Sequence, residues 1–345
     1  MEQMLDDLHE LLEQSNKVYL DNFPPIAWFG RCIFLSWFCT IGDCDFCYRS
    51  TIKHKVRFAK SARRGIGSIL SEALFARNLG WRLEFLTGGF GIYPWPELVE
   101  IARMVSEVYG DKVWLNLGIM SNKQLEPFTP YIEGVCASIE TVEPELHNKI
   151  APSKPIEPFL KMYENMPSHL KKSMTFIVGL GEKREDIKLL HEFIEKHQLD
   201  RITFYALKPV KGTRYTEGPT TEDYAWWIAN TRIKFPKLEI VAGTTARRVE
   251  EIDIILKAGA NAITKFPATK LFGSEQAHMF ENKVKSSGRE FVSTLTKLPD
   301  VDWDAQINSF NLSDAVKLDL KEAVHGYLKK MSNPKPFLMA YECDD

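Results

Sequence analysis

Residues 35–51 read LSWFCTIGDCDFCYRST and hold Cys39, Cys44 and Cys47 within nine positions. The run 33–38 that leads into them is apolar and strand-sized. The run after Gly65 is helical in period, with Ile69, Leu70, Ala73, Leu74 and Ala76 on one spacing. The three thiols therefore occupy the first strand-to-helix connection. An open doubly wound sheet carries G-x-G-x-x-G at that place. This chain carries cysteines instead.

The same alternation continues along the chain. Strands are expected at 33–38, 82–87, 112–118, 134–140, 174–180, 201–207, 238–243 and 261–266, each followed by helical material. About eight β/α steps with short connections predict an α/β fold, a (β/α)8 TIM-type barrel. The expected layout is an N-terminal helical extension over 1–29, the barrel over 30–270 and a C-terminal extension packed on it over 271–345.

The 345 residues carry a net charge of -2 and are 44% hydrophobic, as in ordinary globular proteins. That balance argues against a dedicated nucleic-acid or membrane-surface protein. The acidic, amphipathic start MEQMLDDLHELLEQSN lacks the features of a signal peptide. A cytoplasmic location is the resulting expectation, and thiols stay reduced there. Cys32, Cys136 and Cys343 are scattered and read as core or tail residues. The trio, with Gly42 and two aspartates between its members, reads as a loop folded around something. An iron–sulfur cluster with three protein ligands, a zinc site and a Cys44–Cys47 redox pair all remain open at this point.

Active sites of such barrels form at the C-terminal ends of the strands. Strand two ends in TGGFG, residues 87–91, whose glycines allow close backbone approach to a ligand. Strand three ends at Asn116 and strand four at Glu140. Strand five runs into Val178, Gly179, Gly181 and Glu182. Strands six to eight end among Lys208, Lys211, Arg214, Thr244, Thr245, Arg247 and Lys265. This basic side suits an anionic substrate or a carboxylate.

A cysteine trio after strand one and a glycine pair after strand two resemble the radical S-adenosylmethionine enzymes. Their usual spacing is C-x-x-x-C-x-x-C with an aromatic before the last Cys. Phe46 holds that position here, and the first gap is one residue longer. SIETVEPELHNKI, FIVGLGEKREDI, FYALKPVKGTRY and VAGTTARRVEEIDIILKAGANAI look like strands four to eight of the biotin-synthase-like subgroup. That subgroup includes biotin synthase, a hydrogenase maturase and methylornithine synthase. The resemblance covers roughly residues 30–270.

The resemblance implies that Cys39, Cys44 and Cys47 ligate three irons of a 4Fe–4S cluster. S-adenosyl-L-methionine would chelate the fourth and be cleaved by one electron to a 5′-deoxyadenosyl radical. It further implies that Phe46 and the pair Gly88 and Gly89 line the methionine end. Asn116 and Glu140 would line the ribose or sulfonium, and Val178 and Gly179 the adenine. Lys208, Thr244, Thr245, Arg247 and Lys265 would face the substrate. No catalytic acid or base is assigned. Implied partners are a small-molecule or carrier-protein-bound substrate, an electron donor such as ferredoxin or flavodoxin, and a partner radical subunit.

Two positions depart from the subgroup. Phe90 stands where an acid often follows the glycine pair. Trp114 and Ser173 stand where biotin synthase has ligands of its 2Fe–2S cluster, so biotin synthase activity is not expected. The expected reaction is sulfur insertion of the two-subunit archaeal-type lipoyl synthase kind. Its second cluster would use Cys32, Cys136 or Cys343, or sit on the partner. The alternatives are carbon-skeleton or ring-forming chemistry, as for the iron-only hydrogenase pyridinol or in a maturase, and a zinc- or cluster-stabilised scaffold without catalysis.

Overall fold

The computed structural model describes residues 2–333. Cys343 lies outside the described residues. Eight parallel strands form a closed barrel. They are β1 (Ile26–Phe34), β2 (Arg82–Thr87), β3 (Val113–Asn116), β4 (Ile132–Glu140), β5 (Lys171–Val178), β6 (Arg201–Ala206), β7 (Glu239–Gly243) and β8 (Ala262–Thr264). Closure comes from β1, which pairs with β2 on one side and β8 on the other. A short ninth strand, β9 (Glu290–Phe291), pairs with the start of β1.

Parallel strands buried on both faces need apolar residues on the outer face, because helices cover it. Helix Ile66–Leu79 provides such a cover, and most of its residues are themselves buried. They are buried because the C-terminal helix Asp314–Met331 lies over it, with Asp319 accepting from the Gly67 N–H. The N-terminal helix Glu2–Asn22 packs on helix Thr221–Lys234. It is tied to the start of β1 by the Tyr19 hydroxyl, which donates to the Ile26 carbonyl at 2.8 Å. The N-terminal extension thus grips the start of β1, while the C-terminal helix reaches the start of helix Ile66–Leu79. Among the described residues no helix is long and apolar enough to cross a membrane.

The first strand differs from expectation. It begins at Ile26, so the stretch 33–38 is its last part and the entry to the cysteine loop. Gly30 and Arg31 interrupt the apolar run and hide the strand in the sequence. In the fold, the Arg31 guanidinium meets Glu72 at 2.8 Å, and Arg64 meets the same carboxylate at 2.7 Å. Burial alone would raise the Glu72 carboxyl, but these two cations hold it below the usual carboxylate range. A charged residue sits in a buried strand because its partners are buried with it.

Candidate active site at the barrel mouth

The cysteine loop leaves β1 at Phe34 and is pinned on three sides. Toward β2, the Thr40 N–H and hydroxyl both donate to the Phe90 carbonyl, at 3.1 and 2.8 Å. In return the Phe90 N–H donates to the Cys39 sulfur at 3.4 Å. Toward the segment after β4, the Asp45 N–H donates to the Ile150 carbonyl at 2.8 Å. Toward the loop after β6, Arg214 pairs with Asp45 at 2.9 Å and the Tyr215 hydroxyl reaches the same carboxylate. Phe46 packs with Ile150, Ile177 and Leu207 beneath the loop.

The long first gap has a structural content. Gly42 lies in it with φ 54°, a left-handed conformation that glycine adopts without penalty. The first gap turns there, after which the Cys47 N–H closes onto the Cys44 carbonyl at 3.0 Å.

All three thiols are free and half-buried. Among the described residues no group of three or more His, Cys, Asp or Glu is arranged to hold a metal ion. A single ion needs its ligands to converge on one point. Three thiolates on three different irons of a cluster do not. The donor set of three thiols, one of them already receiving a backbone N–H, fits cluster ligation, in which hydrogen bonds to sulfur are usual. Burial pushes the Cys44 thiol up to about 12, with Lys154 pulling the other way. In the metal-free protein this thiol keeps its proton.

The glycine pair after β2 divides into two roles. A Cβ on Gly89 would stand 1.4 Å from the Phe38 carbonyl oxygen, so Gly89 is required by the cysteine loop itself. A Cβ on Gly88 would make only ordinary contact, 3.5 Å from Leu35. Gly88 and Gly89 together border a small cavity of about 100 Å³ lined also by Phe90, Tyr93 and Leu117.

Asn116 and Glu140 end β3 and β4 as expected. Asn116 accepts from the Ser138 hydroxyl at 2.7 Å. Glu140 adopts φ 69°, unusual for a residue other than glycine. Its carboxylate accepts from Thr175 at 2.9 Å and pairs with Lys154 at 3.2 Å. Burial works against the Lys154 charge, but Glu140 and Cys44 raise its pKa above the ordinary lysine value.

Val178 and Gly179, expected at the adenine, lie at the end of β5 and just after it. Val178 faces the core between barrel and helices, and its carbonyl accepts from the Leu207 N–H. Its neighbour Ile177 points the other way, into the cluster under the cysteine loop. Alternation along a strand decides this, and a one-residue shift exchanges the faces. The Gly179 N–H is occupied by the Glu182 carboxylate at 2.6 Å, as are those of Leu180 and Gly181. Gly179 has no free N–H for a ligand.

The basic side is only partly gathered. The Thr244 hydroxyl is buried and donates to Glu251 at 2.7 Å. Thr245 precedes the short helix Ala246–Glu251 and is half-buried, while Arg247 is exposed. Lys208 is half-buried at the end of β6. Lys265 is the member aimed at the mouth. It adopts φ 70°, with its ammonium 4.7 Å from the Tyr205 ring centre and 5.2 Å from that of Phe34.

The sequence reading missed Glu84. It is fully buried in the barrel interior, and its carboxylate accepts from Tyr205 at 2.6 Å, Thr264 at 2.5 Å and Cys32 at 2.7 Å. Burial and the adjacent Glu84 push both the Tyr205 phenol and the Cys32 thiol well up, so both keep their protons. The available signal was an acid inside the apolar strand RLEFLT. Cys32 and Cys136 share this interior with Trp114.

No protein-family model matches the sequence. The chain is 35% identical over 348 residues to protein MJ0597 of Methanocaldococcus jannaschii, covering 94% of this chain and 96% of the relative. The chain belongs to the family of MJ0597. Among solved structures, methylornithine synthase (PylB) superposes with a TM-score of 0.71 at 19% identity, over 83% of this chain and 89% of that one. The FeFe-hydrogenase maturase HydG from Carboxydothermus hydrogenoformans gives 0.64 at 15% identity, over 94% and 83%. This chain therefore shares its barrel fold with methylornithine synthase and the hydrogenase maturase.

Proposed function

We propose that this chain is a radical S-adenosylmethionine enzyme in which Cys39, Cys44 and Cys47 hold three irons of a 4Fe–4S cluster. The observation that carries the reading is the pinned loop presenting three free thiols at the C-terminal mouth of the barrel. When bound, the cluster supplies the electron that cleaves S-adenosylmethionine and yields a 5′-deoxyadenosyl radical.

This chain's residues position and seclude that chemistry. Phe46 backs the loop with an apolar floor. Gly88 leaves room at the methionine end, while Gly89 fixes the loop. Asn116 and Glu140 present polar groups toward the ribose or sulfonium, with Lys154 balancing the Glu140 charge. Gly179 contributes its carbonyl side to the adenine region. On the substrate side, Lys265 supplies a cation at the mouth, and Lys208, Thr245 and Arg247 extend the same face outward. Tyr205, Thr264 and Glu84 form the polar floor.

The finer reading is sulfur insertion of the two-subunit lipoyl synthase kind, on a carrier-bound or small-molecule substrate in the cytoplasm. A ferredoxin or flavodoxin would be the reductant. Among the described residues, Cys32 and Cys136 are the two thiols outside the cysteine loop. The sulfur-donating cluster of this reading would use Cys32, Cys136 or Cys343, or sit on the partner subunit. The engagement of the Cys32 thiol with the Glu84 carboxylate favours a second reading, carbon-skeleton or ring-forming chemistry that needs no sulfur source.

The test of the class is release of 5′-deoxyadenosine from S-adenosylmethionine by the anaerobically reconstituted protein under dithionite. Release that disappears in Cys39→Ala supports it. One zinc per chain with no sulfide, and no release, would replace it with the scaffold reading. Product mass separates the finer readings, since sulfur insertion adds sulfur to an octanoylated peptide and skeletal chemistry does not.

A further inference from the structure

The segment that follows the cysteine loop has a charge pattern found nowhere else in the chain. Between residues 46 and 71 there are seven Lys or Arg and no Asp or Glu, in a protein of net charge -2. Three of these cations turn inward. Arg49 donates to the Ser36 carbonyl, Arg63 pairs with Glu97, and Arg64 pairs with Glu72. The others, Lys53, Lys55, Arg57 and Lys60, are exposed together with His54. Among the described residues, no carboxylate forms an ion pair with Lys55, Arg57 or Lys60. In their midst Phe58 is 75% exposed, more than any other large apolar side chain described.

This patch is fastened directly to the thiol loop. The Ser50 hydroxyl donates to the Cys47 carbonyl at 2.7 Å, and the Lys53 ammonium donates to the Ile41 carbonyl at 2.5 Å. The Trp37 N–H donates to the Ala62 carbonyl, and Ser36 and Arg63 form a β-bridge. The basic surface is therefore the outer wall of the loop that carries Cys39, Cys44 and Cys47.

We propose that this surface, with Lys55, Arg57 and Lys60 around Phe58, docks an acidic one-electron carrier protein that reduces the site behind it. The inference rests on the radical-enzyme reading. A substrate must enter the barrel, but an electron passes through packed protein, so its donor needs only close approach. An exposed cationic field next to the thiol loop steers an anionic partner to that place, and a projecting aromatic gives the encounter an apolar anchor. In the step, the carrier is oxidised by one electron and the cluster is reduced by one.

The test uses the reconstituted full chain and an acidic two-cluster bacterial ferredoxin as probe. Binding is measured by titration at low and high salt, alongside 5′-deoxyadenosine release driven by ferredoxin or by dithionite. Lys55→Glu/Arg57→Glu/Lys60→Glu should weaken ferredoxin binding by about tenfold or more and flatten its salt dependence. Dithionite-driven release should be unchanged. The milder Lys55→Gln/Arg57→Gln/Lys60→Gln set should fall between, which guards against misfolding of the first. Ferredoxin binding equal to wild type in both sets overturns the proposal. Tighter binding of single-stranded RNA than of ferredoxin, lost in the same variants, also overturns it. If the wild type releases nothing with dithionite, the class reading fails, while the binding titration still decides the docking surface.

Discussion

Lys154 lies 3.2 Å from Glu140, with each side chain 11% exposed, and the same ammonium acts on the Cys44 thiol. One buried cation thus joins the end of β4 to the cysteine loop. Removing one partner of a buried pair leaves the other uncompensated. Lys154→Met should lower the stability of the cluster-free protein by ~3 kcal/mol. The double variant Glu140→Gln/Lys154→Met should recover most of the loss. Chemical denaturation of the four proteins checks this, and an additive double variant would contradict it.

The glycine pair should separate cleanly. Gly88→Ala adds a Cβ in ordinary contact and should keep wild-type iron content after reconstitution. Gly89→Ala drives a Cβ into the Phe38 carbonyl and should displace the loop and lose most of the iron. Iron and sulfide counts per chain read the difference.

Cys44 gives a pH prediction for the cluster-free protein. Its thiol is raised by burial to about 12 from an ordinary 9.0. Below pH 9 both folded and unfolded chains keep this proton and stability is unaffected. Between 9 and about 12 the unfolded chain loses the proton first, so this group makes stability fall as pH rises. Alkylation of Cys44 at pH 8 should be slower than that of an exposed thiol by about a thousandfold, following its thiolate fraction. Mass-mapped iodoacetamide labelling over a pH series checks both the order and the midpoint.

The interior thiols should not hold iron. Cys32 donates to Glu84 and lies with Cys136 in an apolar cluster. Cys32→Ser and Cys136→Ser should retain about four irons per chain, the content of one four-iron cluster. A loss of iron in either variant would point to a second cluster.

The barrel was legible because β/α alternation needs only periodicity, and seven strands lie where the apolar runs put them. The start of β1 was not, since Gly30 and Arg31 read as a break and only the distant Glu72 and Arg64 make Arg31 acceptable. The cysteine loop was legible from spacing. Which side chains face the mouth was less so: Val178 and Ile177 differ by one residue, and strand register settles which one turns inward. Thr244 read as available because its acceptor, Glu251, sits seven residues on, across the turn after β7. Glu84 was missed because its three donors come from three other strands, β1, β6 and β8.

The central claim is that three thiolates hold a cluster with one iron left for S-adenosylmethionine. Electron paramagnetic resonance of the reduced, reconstituted protein, recorded with and without S-adenosylmethionine, tests it most directly. The wild type should give a reduced 4Fe–4S signal whose g-values shift when S-adenosylmethionine is added, and Cys39→Ala should give no such signal. A four-iron signal that S-adenosylmethionine leaves unchanged, or one that survives in Cys39→Ala, would contradict it.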